Sequence, residues 1–423
     1  MFQKEQKAYN RFVIKTNRRN NMAKVMAVNA GSSSLKYKLY EMPEEKVLCS
    51  GNVERIGHED GIFGIKFGDQ SIKETLPIYD HAKGVELVLE ALIKYGIVKS
   101  LDEIECVGHR VVQGGKYFSH SAEFDEKNAA IIESLTPLDP LHAPAHITGW
   151  KAFKAALPNV PAIAVFDTAY HQTMEPEDYL YPIPYEMSEK YDCRRYGAHG
   201  TSHNYLADTA IAHYFGGKAE GTRILSCHIG SGASLCAIKD GKCVATTMGL
   251  TPLGGVMMGT RTGDLDPSVM DYLCTCTGKN VDEMYDIFNK KSGLLGVSGI
   301  SNDTRDIEDA ALKGNERAIL TSKLFARRVA DFIGQYYVRL GKIDLMIFSA
   351  GIGENSAYFR EMILKDVEEA LGLKIDYELN AKIRGKEAVI SKDGSAIKVI
   401  ILPTDEEVMI ARDCMKRIEN GSI

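Results

Sequence analysis

The sequence predicts an α/β fold made of two related domains, and three observations carry that prediction. Strand-like and helix-like segments alternate along the chain. Two Gly/Ser turns of one design, "VNAGSSSL" from Val28 and "HIGSGASL" from His228, each follow an apolar strand and resume as a strand. The chain has 423 residues, more than one core supports, since single cores stop growing at about 250–300 residues.

In chain order, "VMAV" and "LKYKLY" read as the strands of a hairpin. "GVELVLEALIKYG" has helical spacing and a C-terminal stop at Gly96. "IECVGHRVV" and "AIAVF" read as strands that run straight into polar residues, and a second hairpin after "HIGSGAS" turns at Asp240-Gly241. "KLFARRVADFIGQYYVRLG" is a long amphipathic helix, and "DLMIFSAGIGEN" a buried strand ending in a glycine turn. "IKVIILPTDEEVMIARDCMKRI" is a strand followed by a helix. The predicted divisions are a disordered extension over 1–21, a first domain of 22–168 plus 406–423, and a second of 169–405.

The balance of 51 basic against 57 acidic side chains leaves a formal charge of −6. This argues against nucleic acid or an anionic membrane as a partner. No stretch approaches the roughly 20 consecutive apolar residues that span a bilayer. Nine cysteines are scattered with no CxxC pair, and an odd count in a large chain favours a reducing cytoplasm over a disulfide framework. Lys4, Lys7, Arg11, Lys15, Arg18 and Arg19 precede Met22 without an apolar core, so this segment is not read as a secretory signal.

Small residues in a tight turn let main-chain N–H groups approach an anion, and hydroxyls add donors. On this reading Asn29, Ser32, Ser34 and Lys36 serve a transferred phosphoryl group, while Gly230 and Gly232 serve nucleotide phosphates. "GIGEN" (351–355) offers the flat approach that adenine and ribose need. It is neither GxGxxG nor GxxxxGK[ST], which disfavours a dinucleotide site and excludes a Walker loop. Arg110, Asp167, His199 and Arg261 stand in polar stretches where strands stop. Singly, each reads as an ion pair or a structural side chain. Together with the turns they meet the needs of phosphoryl transfer, which are cationic donors and Mg2+ around the migrating group.

Ten motifs in order, "VNAGSSSLK", "GHRVVQGG", "PLHAPAH", "FDTAYH", "YGAHGTSH", "HIGSGAS", "TPLGGVMMGTRTGDLDP", "SNDTRDIE", "AGIGENS" and "PTDEEVMIARD", resemble those of the acetate kinases, in the acetate and sugar kinase/Hsp70/actin superfamily. The resemblance implies two duplicated actin-like (ribonuclease H-like) domains with a nucleotide cleft between them. It also implies a homodimer and a reversible transfer of the ATP γ-phosphoryl to acetate, giving acetyl phosphate and ADP. By position, it implies that Asn29 and Glu406 hold Mg2+ (or Mn2+), with Glu407 the second choice, and that Lys36 meets nucleotide phosphate. Arg110 would hold the substrate carboxylate, and Val112, Leu141 and Pro252 would line a pocket for its methyl group. His142 would reach the site, and His199 and Arg261 would stabilise the phosphoryl group. The nucleotide would lie on His228, Ile229, Gly230, Ser231 and Gly232, on Asp303, Thr304 and Arg305, and on Gly351, Ile352, Gly353, Glu354 and Asn355. The family gives Asp167 an essential role. Because a carboxylate substrate is already ionised near pH 7, orienting Arg110 or the metal shell is a more economical role than removing a proton.

Several positions depart from the family pattern. Ala198 stands for a usual Phe, Gln113 for His, Ser231 and His146 for Asn, Gly254 for Glu and Asp405 for Asn. Space freed at Ala198 suggests an alternative, a propionate or other short-chain acyl kinase, since each buried methylene is worth about 0.8 kcal/mol. Val112 and Leu141 argue for acetate. A second alternative is a nucleotide-binding protein of the Hsp70/actin type that transfers nothing to an acid; Arg110, His199 and Arg261 speak against it.

Overall fold

The computed structural model describes residues 22–140 and 142–420, so the extension over 1–21 and Leu141 lie outside the described residues. The chain divides into two compact units. One runs to Ala169 and takes Asp405 onward, and the other is Tyr170–Thr404.

In the first unit β1 (Ala23–Ala30) and β2 (Ser34–Met42) form the expected hairpin, paired from Ala23↔Met42 to Ala30↔Leu35. Strands β3 (Lys46–Glu54), β4 (His58–Phe67) and β5 (Gln70–Ile78) extend it antiparallel. Helix α1 (His81–Lys94) is capped by the Asp80 side chain and stops before Gly96, whose φ of 68° suits glycine. On the other side β6 (Ile104–Val111) lies parallel to β1. After the short β7 (Ala122–Glu123), β8 (Ala162–Phe166) lies parallel to β6. The sheet order is β5-β4-β3-β2-β1-β6-β8-β7.

The second unit repeats the plan. Strands β9 (Arg223–Ile229), β10 (Ala233–Lys239) and β11 (Lys242–Thr246) run antiparallel, with Asp240 and Gly241 both at positive φ in the second turn. Then β12 (Leu345–Ser349) and β14 (Lys398–Ile401) pair parallel to the β9 side, with β13 (Ala388–Val389) at the edge. The order β11-β10-β9-β12-β14 therefore matches β3-β2-β1-β6-β8 in sequence and sense. This is the duplication behind the two Gly/Ser turns, and it makes the fold actin-like in each unit. The long amphipathic helix is α5 (Glu316–Leu340), preceded by α4 (Thr304–Leu312), and it buries Phe325, Val329 and Ile333.

One element differs from its sequence reading. "GIGEN" is not an open turn but part of a short helix, α6 (Ala350–Asn355). Two glycines weaken a helix by about 1 kcal/mol each, which is why the segment reads as a turn. Here the Glu354 carboxylate accepts the Ala350 N–H at 2.7 Å, and Ser349 Oγ donates to the Leu402 carbonyl at 2.6 Å. These bonds hold the sharp corner at Ala350, whose φ is 64°.

Helix α7 (Glu406–Glu419) packs on β1 and β6 of the first unit. It comes so close at Gly108 that a Cβ there would lie 2.4 Å from Ile410 Cγ2 and 2.7 Å from Cys414 Sγ. Arg412 also forks onto Glu45, at 2.6 and 2.9 Å.

Candidate active site

In each unit three adjacent parallel strands end on one edge, the edge where open α/β sheets place their ligands. In the first unit those ends carry Asn29 on β1, Arg110 on β6 and Asp167 directly after β8. Arg110 forks onto Asp167, Nε to Oδ1 at 3.1 Å and Nη2 to Oδ2 at 2.6 Å. Asp167 is completely buried. The pair leaves the Nη1 side of the guanidinium facing Asn29 Oδ1 at 3.5 Å. Glu406, at the start of α7, lies 3.8 Å from Arg110 Nε.

Burial pushes the Glu406 carboxyl up, Arg110 pulls it down, and the Asp167 and Glu407 carboxylates raise it again, to about 7. Burial disfavours the charge on Arg110, but Asp167 and Glu406 outweigh it and hold the guanidinium firmly protonated. Glu407 is engaged elsewhere, 3.2 Å from Lys38 Nζ. Asn29 and Glu406 thus present an amide oxygen and a carboxylate beside a cluster of acids. That hard-oxygen set fits Mg2+, which takes one or two protein oxygens and otherwise waters and phosphates.

Around this group, Lys36 is exposed on β2 directly opposite Asn29. Ser32 is exposed in the turn, and Ser34 is half-buried at its end, where its carbonyl accepts the Gly31 N–H at 2.8 Å. Val112 is buried, and its N–H donates to His146 Nε2 at 3.2 Å. His142, just before α2 (Ala143–Ala156), is held by Asp139 at 2.6 Å.

In the second unit Gly230, Ser231 and Gly232 turn the chain from β9 to β10, with Gly230 N–H donating to the Gly232 carbonyl at 3.0 Å. His199 precedes α3 (Gly200–Tyr214) at φ 58°, a left-handed position, and its Nδ1 lies 2.9 Å from Ser234 Oγ. Its ring stacks on His228 with centroids 4.1 Å apart. A point where a Cβ on Gly232 would sit is 3.5 Å from both Arg261 Nη1 and His199 Nε2. The missing side chain therefore opens a space that a guanidinium and an imidazole nitrogen face. Arg261 is held by the Pro252 carbonyl at 3.1 Å, and no carboxylate pairs with it among the described residues. Burial lowers its pKa, and a desolvated guanidinium without a counter-charge is a strong anion receptor.

A cavity of about 760 Å3 lies beside this turn, lined by Ser231, Asp303, Thr304, Arg305, Gly351, Ile352 and Asn355 among others. Asp303 caps α4 and forks onto Arg305. Other residues assigned to the nucleotide have structural partners. His228 Nδ1 lies 2.8 Å from Ser202 Oγ, and Ile229 is fully buried. The Gly353 carbonyl accepts from the buried Arg360 at 3.0 Å, and Glu354 caps the Ala350 corner.

The Acetokinase family matches residues 24–412. An acetate kinase of Anoxybacillus flavithermus is 52% identical over 395 residues, 93% of this chain and 99% of the relative. The chain belongs to the acetokinase family. The crystal structure of Porphyromonas gingivalis acetate kinase superposes with a TM-score of 0.88 at 43% identity, covering 94% of this chain and all of that one. A propionate kinase from Francisella tularensis gives a TM-score of 0.87 at 37% identity, covering 93% and 99%.

In this acetokinase the named residues are held by others, of which sequence reasoning missed Asp139 and His203 and marked the rest only as departures from the family pattern. Asp139 fixes His142, and His146 accepts the Val112 amide N–H. His203 shares Ser234 with His199, at 2.8 Å. Asp405 caps α7 and also accepts from Lys38 at 2.9 Å. Gln113 is buried and accepts the Gly115 N–H at 2.9 Å. Ala198 is buried in the core of the second unit. For Asp139 and His203 the only sequence signal was a polar residue close to a recognised motif.

Proposed function

We propose that this acetokinase transfers the γ-phosphoryl group of ATP to acetate, reversibly, giving acetyl phosphate and ADP. The observation that carries this reading is the space over Gly232 faced by Arg261 and His199, with Arg261 lacking a carboxylate partner among the described residues. It suits a PO3 group, whose transition state spreads negative charge over its equatorial oxygens. The Arg110 fork, held by Asp167, supplies the complementary need, a planar receptor for a carboxylate.

An acetate oxygen attacks the γ-phosphorus in line, the bond to the β-bridging oxygen breaks, and ADP leaves with that electron pair. Acetate arrives ionised, so no base is needed, and Asp167 orients Arg110. Val112, Leu141 and Pro252 flank the methyl group, and His142 borders the acid. His199 and Arg261 neutralise the migrating group without having to reorganise. Asn29 and Glu406 hold Mg2+, or Mn2+ in its place, which when bound offsets charge on the phosphate oxygens. Lys36, Ser32 and Ser34 face the phosphates, and the nucleotide occupies the cavity beside Ser231, Asp303–Arg305 and Gly351–Asn355.

The family relationship favours acetate over the longer-chain and non-enzymatic readings. We also infer a homodimer. Supporting it, Ile183, Tyr185, Met187 and Tyr191 expose large apolar surface within one short segment. A cytoplasmic setting is what the odd cysteine count favours. Hydroxylamine trapping of acyl phosphate, with acetate, propionate and butyrate at saturating MgATP, tests the activity. Acetyl hydroxamate forming fastest is expected, and ATP binding without any hydroxamate would overturn the proposal.

A further inference from the structure

The second unit contains a group of soft ligands that phosphoryl transfer does not use. His171, Cys236 and Cys243 are all buried, and one ligand atom from each lies within 4.8 Å of the others. Cys236 is on β10 and Cys243 on β11, where a register shift between Ala237 and Ile238 interrupts the pairing. His171 comes from the turn after "FDTAY".

The tautomer follows from geometry. His171 Nε2 lies 3.0 Å from the Ala198 carbonyl oxygen, which can only accept a hydrogen bond. The ring proton therefore sits on Nε2, and the Nδ1 lone pair points to Cys243 Sγ at 3.2 Å. A histidine that donates one ring N–H to a backbone carbonyl and offers the other nitrogen is the usual arrangement around a protein-bound metal. Bonds of about 2.3 Å to sulfur and 2.0–2.1 Å to nitrogen would set the ligand atoms roughly 3.5–4 Å apart, within the spread observed. Two thiolates and a neutral imidazole exactly cancel a divalent charge, so the loaded cluster would bring no net charge into the core.

We propose that His171, Cys236 and Cys243 bind a zinc ion through three protein ligands and so clamp the turn carrying His199. The link runs through Ala198, whose carbonyl takes the His171 proton and whose neighbour is His199 in its left-handed conformation. The ring lies so close to the turn that a Cβ on Gly197 would be 2.6 Å from His171 Cδ2. With every ligand buried, the ion is captured as the unit folds.

The test is the zinc content of the full-length protein, grown with added zinc and then dialysed against EDTA. About one zinc per chain is expected in the wild type and in a Cys274→Ser/Cys276→Ser control, which removes the half-buried Cys274 and exposed Cys276 thiols, and less than about 0.1 in Cys243→Ser and His171→Gln. Cobalt-grown protein should show sulfur-to-cobalt charge-transfer absorption that Cys243→Ser abolishes. Wild-type protein without stoichiometric zinc would overturn the proposal, as would zinc that survives Cys243→Ser but disappears in the control. The wild-type and control measurements leave the core unaltered, so a variant that fails to fold does not shelter the idea.

Discussion

Replacing Asp167 with Asn removes one charge and almost no volume, so the loss reports on its pairing with Arg110. Both contacts are short, 3.1 and 2.6 Å, and the carboxylate is completely buried. Removing one partner of such a pair costs about 3–5 kcal/mol. Glu406, 3.8 Å from Arg110 Nε, offers the guanidinium another carboxylate, and the Asn oxygen keeps one hydrogen bond, which places the cost near 3 kcal/mol. Where that free energy is lost from the alignment of Arg110 on the acid, kcat/KM for acetate falls roughly 150-fold. The KM for acetate should rise while the KM for ATP stays unchanged, both read by hydroxylamine trapping. The substitution also removes one of the charges that, after burial, hold the Glu406 carboxyl at about 7, so the acid limb of the pH profile should move to lower pH. An unchanged KM for acetate, with kcat down by more than about 10^4-fold and recovering as pH rises, would instead mean that Asp167 takes a proton, and would refute the orienting role.

Three further perturbations test other parts of the molecule. Gly232→Ala puts a methyl group in ordinary contact, 3.5 Å, with Arg261 and His199; stability should change by less than about 0.5 kcal/mol, while kcat/KM for ATP falls at least about 10-fold because the methyl fills the phosphoryl space. Burial and the neighbouring His146 hold His109 down to about 3, so the unfolded chain takes up a proton below about 6.5 that the folded chain refuses. Stability should therefore fall with pH below 6.5 by up to about 1.4 kcal/mol per unit from this residue, and His109→Phe, which keeps the edge contacts with Phe124 and Phe153, should flatten that slope in thermal melts. Asp405→Ala removes the cap of α7 and one of the two carboxylates that pair with Lys38; a loss of about 1–2 kcal/mol is expected in denaturant titrations, with more Mg2+ needed for half-maximal activity because Glu406 opens that helix.

Much of the fold was legible because its signals are local. Alternating "LKYKLYE", the Asp240-Gly241 turn and the helical spacing ending at Gly341 each specify an element without reference to distant residues. The glycine segment after β12 was misread because its helix is held by Glu354 and by the Leu402 carbonyl, partners that composition does not reveal. Motifs named Asn29, Arg110, Asp167 and Glu406, but could not show that Asp167 takes the Nε–Nη2 edge of the guanidinium or that Lys38 draws Glu407 aside.

The order of residues alone determined the repeated Gly/Ser turns, the strands that precede them and the family, all of which rest on neighbours along the chain. Tertiary structure decided the electrostatics: Glu406 at about 7 beside Arg110, Arg261 without a carboxylate among the described residues, and His171 drawn to Cys236 and Cys243. Those properties depend on burial and on distances between residues far apart in sequence, which only the pairing of strands and the return of α7 onto β1 and β6 bring about.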